Sequence, residues 1–342
     1  MKIRYIYNFN ALFLVLALGA CNQSAQQISS VESLKIELQP DYAKGYNILN
    51  INGLKQLRIH SPWVVGKELS VFYLWPDSIP LPDTILPSEV IFTPLQRVAA
   101  LSATQWGPML RLGKGSIIKG VSEARFIQNN EMLQLVQNDL VKEVASEGGY
   151  KLEELVAIQA DLVMYSPDID GIGQSLLQTG LKFLAWPDYF ETNPLGRAEW
   201  IRLLGILVGK EQKSNQLFDS IEHSYNHLKR IANQTTSKPT IFADKIFAGQ
   251  WYVPGGESYI ATIFKDAGAT YVFADNTSTA SFTLDLEAIF NKAVNADYWR
   301  IAHAASADYS YNLLKNENEL YADFEAFKSK KVIFCNTAET AY

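Results

Sequence analysis

Cysteine is nearly absent. Only Cys21 and Cys335 occur among 342 residues, so no cysteine zinc site or iron–sulfur cluster can be assembled. Histidine is scarce too, with four copies. His223 and His227 stand four apart, a spacing that can hold zinc, but no acid–His pattern surrounds them, and His60 and His303 lie far off in sequence. A solvated helix face accounts for the pair, and no metal site is expected. Positive charge is not in excess. The formal net charge is −6, whereas a nucleic-acid binder carries a basic footprint. No long low-complexity segment interrupts residues 40–342. Catalytic motifs are also missing. The "GGES" at Gly255–Ser258 lacks the G-x-S-x-G elbow, and Ser258 reads as a helix N-cap. "LGKGSIIKG" is too loose for a phosphate loop, and Cys335 sits in an apolar strand as a core thiol. No catalytic residue is expected, and the chain does not read as an enzyme. The apolar run at residues 11–20 is about half the roughly 20 residues that a spanning helix requires.

That run is informative for where it stands. Residues 1–10 carry Lys2 and Arg4 and no acid. A basic start, a short apolar core and small residues before a cut mark a secretory signal. Leu18, Gly19, Ala20 and Cys21 resemble the lipobox of bacterial lipoproteins, which implies lipidation of Cys21 and a mature chain of about 320 residues. An ordinary signal peptide cut nearby, or a start codon assigned too early, are the alternatives. With Cys21 lipidated, Cys335 has no intramolecular partner. More than one acyl chain gives stable attachment without a span. Residues 21–40 read as a tether, polar over "NQSAQQISSVES". Loss of Lys2 and Arg4 takes the net charge from −6 to −8.

The remainder is long enough for two lobes with substantial cores. Residues 41–93 read as a β-rich extension of short strands and turns. Residues 94–193 alternate strand and helix with short joints, which implies a parallel sheet with right-handed crossovers. Val98–Leu101, Asp161–Tyr165 and Leu181–Trp186 are its buried strands. A helix is expected to begin near Trp106 or Pro108 and to end at Gly113. Residues 194–236 form a helical linker. Within it a long helix over about 212–234 carries Leu217, Ile221, Tyr225, Leu228 and Ile231 on one face. Residues 237–342 repeat the α/β pattern, with "LYADFEAFKSK" as a helix and "KVIFCN" as the last strand. That strand has no closing helix after it, so a further C-terminal segment is expected. The fold class is α/β: two Rossmann-like lobes bridged by one long helix, with an N-terminal β-rich preamble.

Five segments in order, across about residues 95–342, resemble the substrate-binding lipoproteins of ABC importers for iron–siderophore complexes, cobalamin and haem. They are "RVAALSATQWGPMLRLG", "LEELVAIQADLVMYS", "GLKFLAWPDYFE", "NPLGRAEWIRLLGILVGKEQ" and "WYVPGGESYIATIFKDAGATYVFAD". The fourth, with the 41–93 preamble, looks like the branch found in Bacteroidetes. The resemblance implies a class III periplasmic binding protein that clamps a metal chelate between its lobes, with limited closure because a continuous helix bends less than a loop hinge. It also implies delivery to an inner-membrane permease and its ATPase by a lipid-anchored monomer in the periplasm, with no intrinsic cofactor. A ferric siderophore is the first expectation, and cobalamin or haem the alternative. A structural or adhesive surface lipoprotein is a reading of another class, but it would need neither a spine helix nor aromatic-lined lobes.

Clefts in such lobes lie beyond the carboxyl ends of parallel strands. Thr104, Gln105 and Trp106 follow the strand Val98–Leu101, and Tyr165, Ser166 and Asp168 stand at or after the end of Asp161–Tyr165. Trp186, Asp188, Tyr189 and Phe190 stand at or after the end of Leu181–Trp186, and Lys245, Trp251 and Tyr252 follow the first strand of the second lobe. Aromatic walls with a few polar groups suit a flat chelate, so Trp106, Trp186, Tyr189, Phe190, Trp251 and Tyr252 are the candidate walls, and Gln105 and Tyr165 candidate contacts. Each aromatic has a core or turn role as its alternative. Arg125 and Arg197 are candidates for anionic groups, because the arginine fork holds oxygens in pairs. For haem, Tyr165 and Tyr189 are the candidate iron ligands. The family docks to its permease through an acid near the tip of each lobe. Asp170 is the candidate in the first lobe and Glu257 or Asp266 in the second, where no clear match to the family glutamate stands.

Overall fold

The computed structural model describes residues 35–168, 173–303 and 309–337. It opens on a sheet of β1 (Lys35–Leu38), β2 (Tyr46–Ile51), β3 (Leu54–His60), β4 (Glu68–Pro76) and β5 (Val90–Thr93) in sequential order. Pairing is antiparallel from β1 to β4, and β5 runs parallel to β4. Asn52 and Gly53 both take positive φ at the β2–β3 turn, the conformation for which an Asn-Gly pair is suited. β1 corrects the expected extent of the tether: residues 35–38 are already paired with β2. Four residues are too few for a period to stand out in sequence.

The first lobe carries β6 (Val98–Ala100), β7 (Ile118–Ser122), β8 (Lys142–Ser146), β9 (Gly149–Tyr150), β10 (Leu162–Tyr165) and β11 (Phe183–Ala185). Their order is β11-β10-β6-β7-β8-β9, parallel except for β9. The runs "VAA", "LVMY" and "FLA" are buried throughout, as expected of strands covered on both faces. The connecting helices are α1 (Ala103–Arg111), α2 (Asn130–Gln137), α3 (Leu152–Ala157) and α4 (Gln174–Leu177). α1 starts earlier than expected and holds Pro108 inside it. Ser102 Oγ accepts from Thr104 N, and Gln105 Oε1 accepts from Ser102 N at 3.1 Å, a capping box that fixes the start before Trp106.

Helix α5 (Pro194–Leu207) leads into the spine helix α6 (Glu211–Asn233). The spine's boundaries lie within one residue of expectation, but its apolar face is little used. Ser214 and Phe218 are buried near its start, while Ile221, Leu228 and Ile231 are exposed. A helix that bridges two bodies packs at its ends and needs no continuous buried stripe.

The second lobe carries β12 (Thr240–Ala243), β13 (Ile246–Phe247), β14 (Gln250–Val253), β15 (Thr270–Tyr271), β16 (Phe282–Leu284), β17 (Tyr298–His303) and β18 (Val332–Asn336). A parallel sheet runs β15-β12-β17-β18, and a small antiparallel one β13-β14-β16. The helices are α7 (Tyr259–Asp266), α8 (Leu286–Ala293), α9 (Tyr311–Glu317) and α10 (Glu325–Lys328). The expected helix over "LYADFEAFKSK" is instead a 3-10 turn, Glu319–Asp323, followed by α10. Phe324 separates the two in an extended conformation, fully buried in the core.

The extension is bound to the first lobe by carboxylates. Glu199 on α5 accepts from Asp41, Tyr42 and Ala43 N at 3.0, 2.8 and 2.9 Å. Glu191 accepts from Lys44 N and Gly45 N, both at 2.9 Å, and from Trp200 Nε1 at 3.0 Å. Gly196 permits this approach, because a Cβ there would lie 2.8 Å from the Tyr42 carbonyl oxygen.

Candidate ligand-binding cleft

A cleft of about 500 Å³ opens between first-lobe and second-lobe residues, within the range of small-molecule sites. From the first lobe come Tyr189 and Phe190, in the 3-10 turn Asp188–Phe190 after β11, and Arg197 in the first turn of α5. From the second come Asp244 after β12, Arg300 and Ala302 on β17, and Thr337 after β18. β12 and β17 are neighbours whose onward connections diverge to opposite sides of the sheet, and such a switch point is where an open α/β sheet leaves a crevice. The rest of that wall is Pro254, Ser258, Tyr259 and Ile260 with Thr279, Ala280 and Ser281. Its two loops are zipped together: Gly255 N donates to Ala280 O and Glu257 N to Ser278 O, both at 3.1 Å. A Cβ on Gly255 would lie 2.0 Å from Ser278 O, so only glycine fits.

Two guanidinium groups reach this space. Arg300 Nη1 pairs with Asp244 Oδ1 at 3.0 Å, and burial holds the Asp244 carboxyl above its ordinary range. Arg197 has no carboxylate within ion-pair distance among the described residues; its guanidinium lies 4.6 Å over the Tyr259 ring. That stack crosses from α5 to α7 and leaves the edge N–H donors available to a ligand.

Asp188 is buried behind the wall. Burial raises its carboxyl from 3.8 to about 6, opposed by the charge of Arg197 and by the hydroxyl of Thr104, which donates at 3.3 Å. Protonation therefore favours the folded state. The contribution is full below pH 4 and is lost as pH rises through 6, a swing of about 3 kcal/mol at roughly 1.4 kcal/mol per unit. Asp188→Asn is expected to flatten stability between pH 4 and 6 relative to the parent by up to that amount. Urea denaturation at intervals of pH tests this, and parallel profiles for the two proteins would refute it.

The other sequence candidates are dispersed. Trp251 is fully buried, packed with Phe242, Trp299, Tyr321 and Phe324, and its Nε1 donates to Ala243 O at 2.9 Å. It is a core residue, correcting its expected place in the wall. Tyr252 follows on the opposite strand face, half exposed beside Phe247 and away from the cleft lining. Trp186 and Trp106 are buried in the first-lobe core, Trp186 against Trp200 at 4.7 Å. Gln105 is buried and engaged in the cap of α1. Tyr165 is buried at the end of β10, its hydroxyl pushed up to about 12 by burial first, and it lies outside the cleft lining. Arg125 is exposed and paired with Glu123 and Glu147 at 3.2 and 2.5 Å, outside the cleft lining. Lys245 pairs with Glu317 at 2.5 Å. Among the docking candidates, Asp266 is held by Lys229 at 2.9 Å and Tyr225 at 3.0 Å on the spine, so it is not a free acid. Glu257 is exposed. Asp170 and Cys21 lie outside the described residues.

Tyr189, Phe190 and Arg197 are thus the sequence candidates that the structure brings together. Asp244, Tyr259 and Arg300 were missed. Asp244 stands directly after a parallel strand, the position the cleft rule favours. Arg300 has a weaker signal, one charge between the buried Trp299 and Ile301 in an alternating strand.

The family model for periplasmic binding proteins matches residues 98–338. The chain belongs to the periplasmic binding protein family. Members of this family are solute-binding proteins. An uncharacterized lipoprotein of Methanocaldococcus jannaschii is 25% identical over 73% of this periplasmic binding protein, which spans 61% of that relative's length. The Bacillus subtilis triscatecholate siderophore-binding protein FeuA, in complex with ferri-bacillibactin, has a similar fold (TM-score 0.54, 15% identity, covering 71% of this chain and 84% of that one). The Vibrio cholerae periplasmic haem-binding protein HutB is similar too (TM-score 0.55, 15% identity, 71% and 90%). Among the described residues, no helix is long and apolar enough to cross a membrane, and no group of three or more His, Cys, Asp or Glu could hold a metal ion.

Proposed function

We propose that this periplasmic binding protein is the substrate-binding component of an ABC importer, and that it takes an anionic metal chelate, a ferric siderophore first. The observation that carries the reading is Arg197, unpaired among the described residues, in one cleft with Arg300 and the rings of Tyr189, Phe190 and Tyr259. Guanidinium forks hold oxygens in pairs, and aromatic faces cover the apolar body of a chelate. Similar folds described as binding ferri-bacillibactin and haem support the class of ligand. Cobalamin and haem are the other chelates to test. Capture is non-covalent, and the continuous α6 limits closure. Lipid on Cys21 would keep the protein near its permease, with Glu257 and Asp170 as docking acids.

The test is titration of the detergent-solubilised full chain with ferri-bacillibactin, ferrioxamine B, cyanocobalamin and haem, read by tryptophan quenching. Submillimolar binding of at least one is expected; binding of none refutes the reading. Arg197→Ala is expected to weaken the bound chelate by about 30-fold, the value of one charge-assisted contact of roughly 2 kcal/mol. An unchanged Kd would remove Arg197 from the site.

A further inference from the structure

We propose that the N-terminal β-extension is a working part of the ligand site, with Trp63 positioning Phe190 in the cleft wall and biasing the cleft toward ligands with aromatic faces. The inference rests on the chelate-binding reading above. Residues 35–93 lie outside the region 98–338 matched by the family model, yet they meet Phe190 of the cleft wall and, beside it, Glu191.

The first meeting is through the loop joining β3 to β4. The Trp63 ring stands edge-on to Phe190, centroids 5.0 Å apart at 77°. Phe190 in turn lies 4.1 Å from Tyr189, whose hydroxyl donates to Pro167 O at 2.6 Å. Phe190 and Tyr189 both line the cleft, so Trp63 is the outer member of a three-ring row. Its loop is closed on itself. Ser61 Oγ accepts from Trp63 N and Val64 N at 3.3 and 3.2 Å, and Ser61 N donates to Lys67 O at 2.8 Å.

The second meeting is at Glu191. Its carboxylate accepts from Lys44 N and Gly45 N, and Gly45 O accepts from His60 N at 2.8 Å. Behind both, Ala185 N on β11 donates to Ser70 Oγ on β4 at 3.1 Å, which sets the extension against the edge strand that leads into the wall. Phe190 is therefore held by the extension through its own ring and through the next residue. An aromatic row fixed in this way offers a preset face to a catechol or similar ring and nothing comparable to an aliphatic hydroxamate.

The experiment compares the full chain with Trp63→Ala and Trp63→Phe, titrated with ferri-bacillibactin and ferrioxamine B. Hydrogen exchange is measured over Asp188–Glu191 in the ligand-free proteins. Trp63→Ala is expected to weaken the tris-catecholate about tenfold, as loss of one edge-to-face pair allows, and to change the tris-hydroxamate less than threefold. Trp63→Phe should restore the tris-catecholate to within about threefold. Exchange over Asp188–Glu191 should rise in the alanine variant while Tm moves little. Equal tris-catecholate affinity in all three proteins overturns the inference and leaves the proposed function standing. If the parent binds no chelate, the proposed function fails, and unchanged exchange over Asp188–Glu191 then overturns the positioning role separately.

Discussion

Glu199→Ala is expected to lower stability by about 4 kcal/mol, the range for removing one partner of a buried charged network. The carboxylate is fully buried, accepts three consecutive backbone N–H groups from Asp41, Tyr42 and Ala43, and meets Arg202 Nη1 at 3.1 Å. Alanine leaves all three donors without acceptors, that of the buried Ala43 included, and Arg202 already has a buried Nε without a partner. Glu199→Gln keeps one acceptor oxygen and should lose about half as much. Urea denaturation measures the loss. Hydrogen exchange locates it, and residues 35–60 should lose protection first. A loss below about 1 kcal/mol would show that the extension is held by other contacts.

Trp251→Ala is expected to cost a similar amount, about 3–5 kcal/mol, because it empties the centre of the second-lobe core. The ring is surrounded by Phe242, Trp299, Tyr321 and Phe324, and its removal also strips the Ala243 carbonyl of a donor. Chelate affinity, measured where the variant is still folded, should stay within about threefold of the parent, since the ring is no part of the cleft lining. The opposite result, a small loss of stability with affinity reduced more than tenfold, would return Trp251 to the wall.

Much of the fold was legible because its strands are short apolar runs with turn residues on both sides. "LVMY" and "FLA" carry that signal alone, and Asn193, Ser258 and Gly180 mark helix boundaries by local chemistry. β7 and β8 carry no such signal. "IKGVS" and "KEVAS" interleave polar residues, and the lobe buries them only because strands on either side complete the sheet. The cleft was legible in part. Tyr189 and Phe190 follow a parallel strand directly, and Arg197 opens the next helix, so sequence order nearly fixes their place.

The sequence by itself determined two α/β lobes, the long helix between them and the strand ends at which a ligand could sit. Periodicity and caps act over a few residues and are visible in one dimension. Only the tertiary structure decided which aromatic rings line the cleft. Trp251 and Tyr252 are consecutive in β14, and the two-residue repeat of a strand sends one into the core and the other to solvent. It also decided that Trp63, some 127 positions from Phe190 in the chain, stands against the cleft wall. That contact depends on how the extension's sheet meets the edge strand of the first-lobe sheet, and no local pattern encodes it.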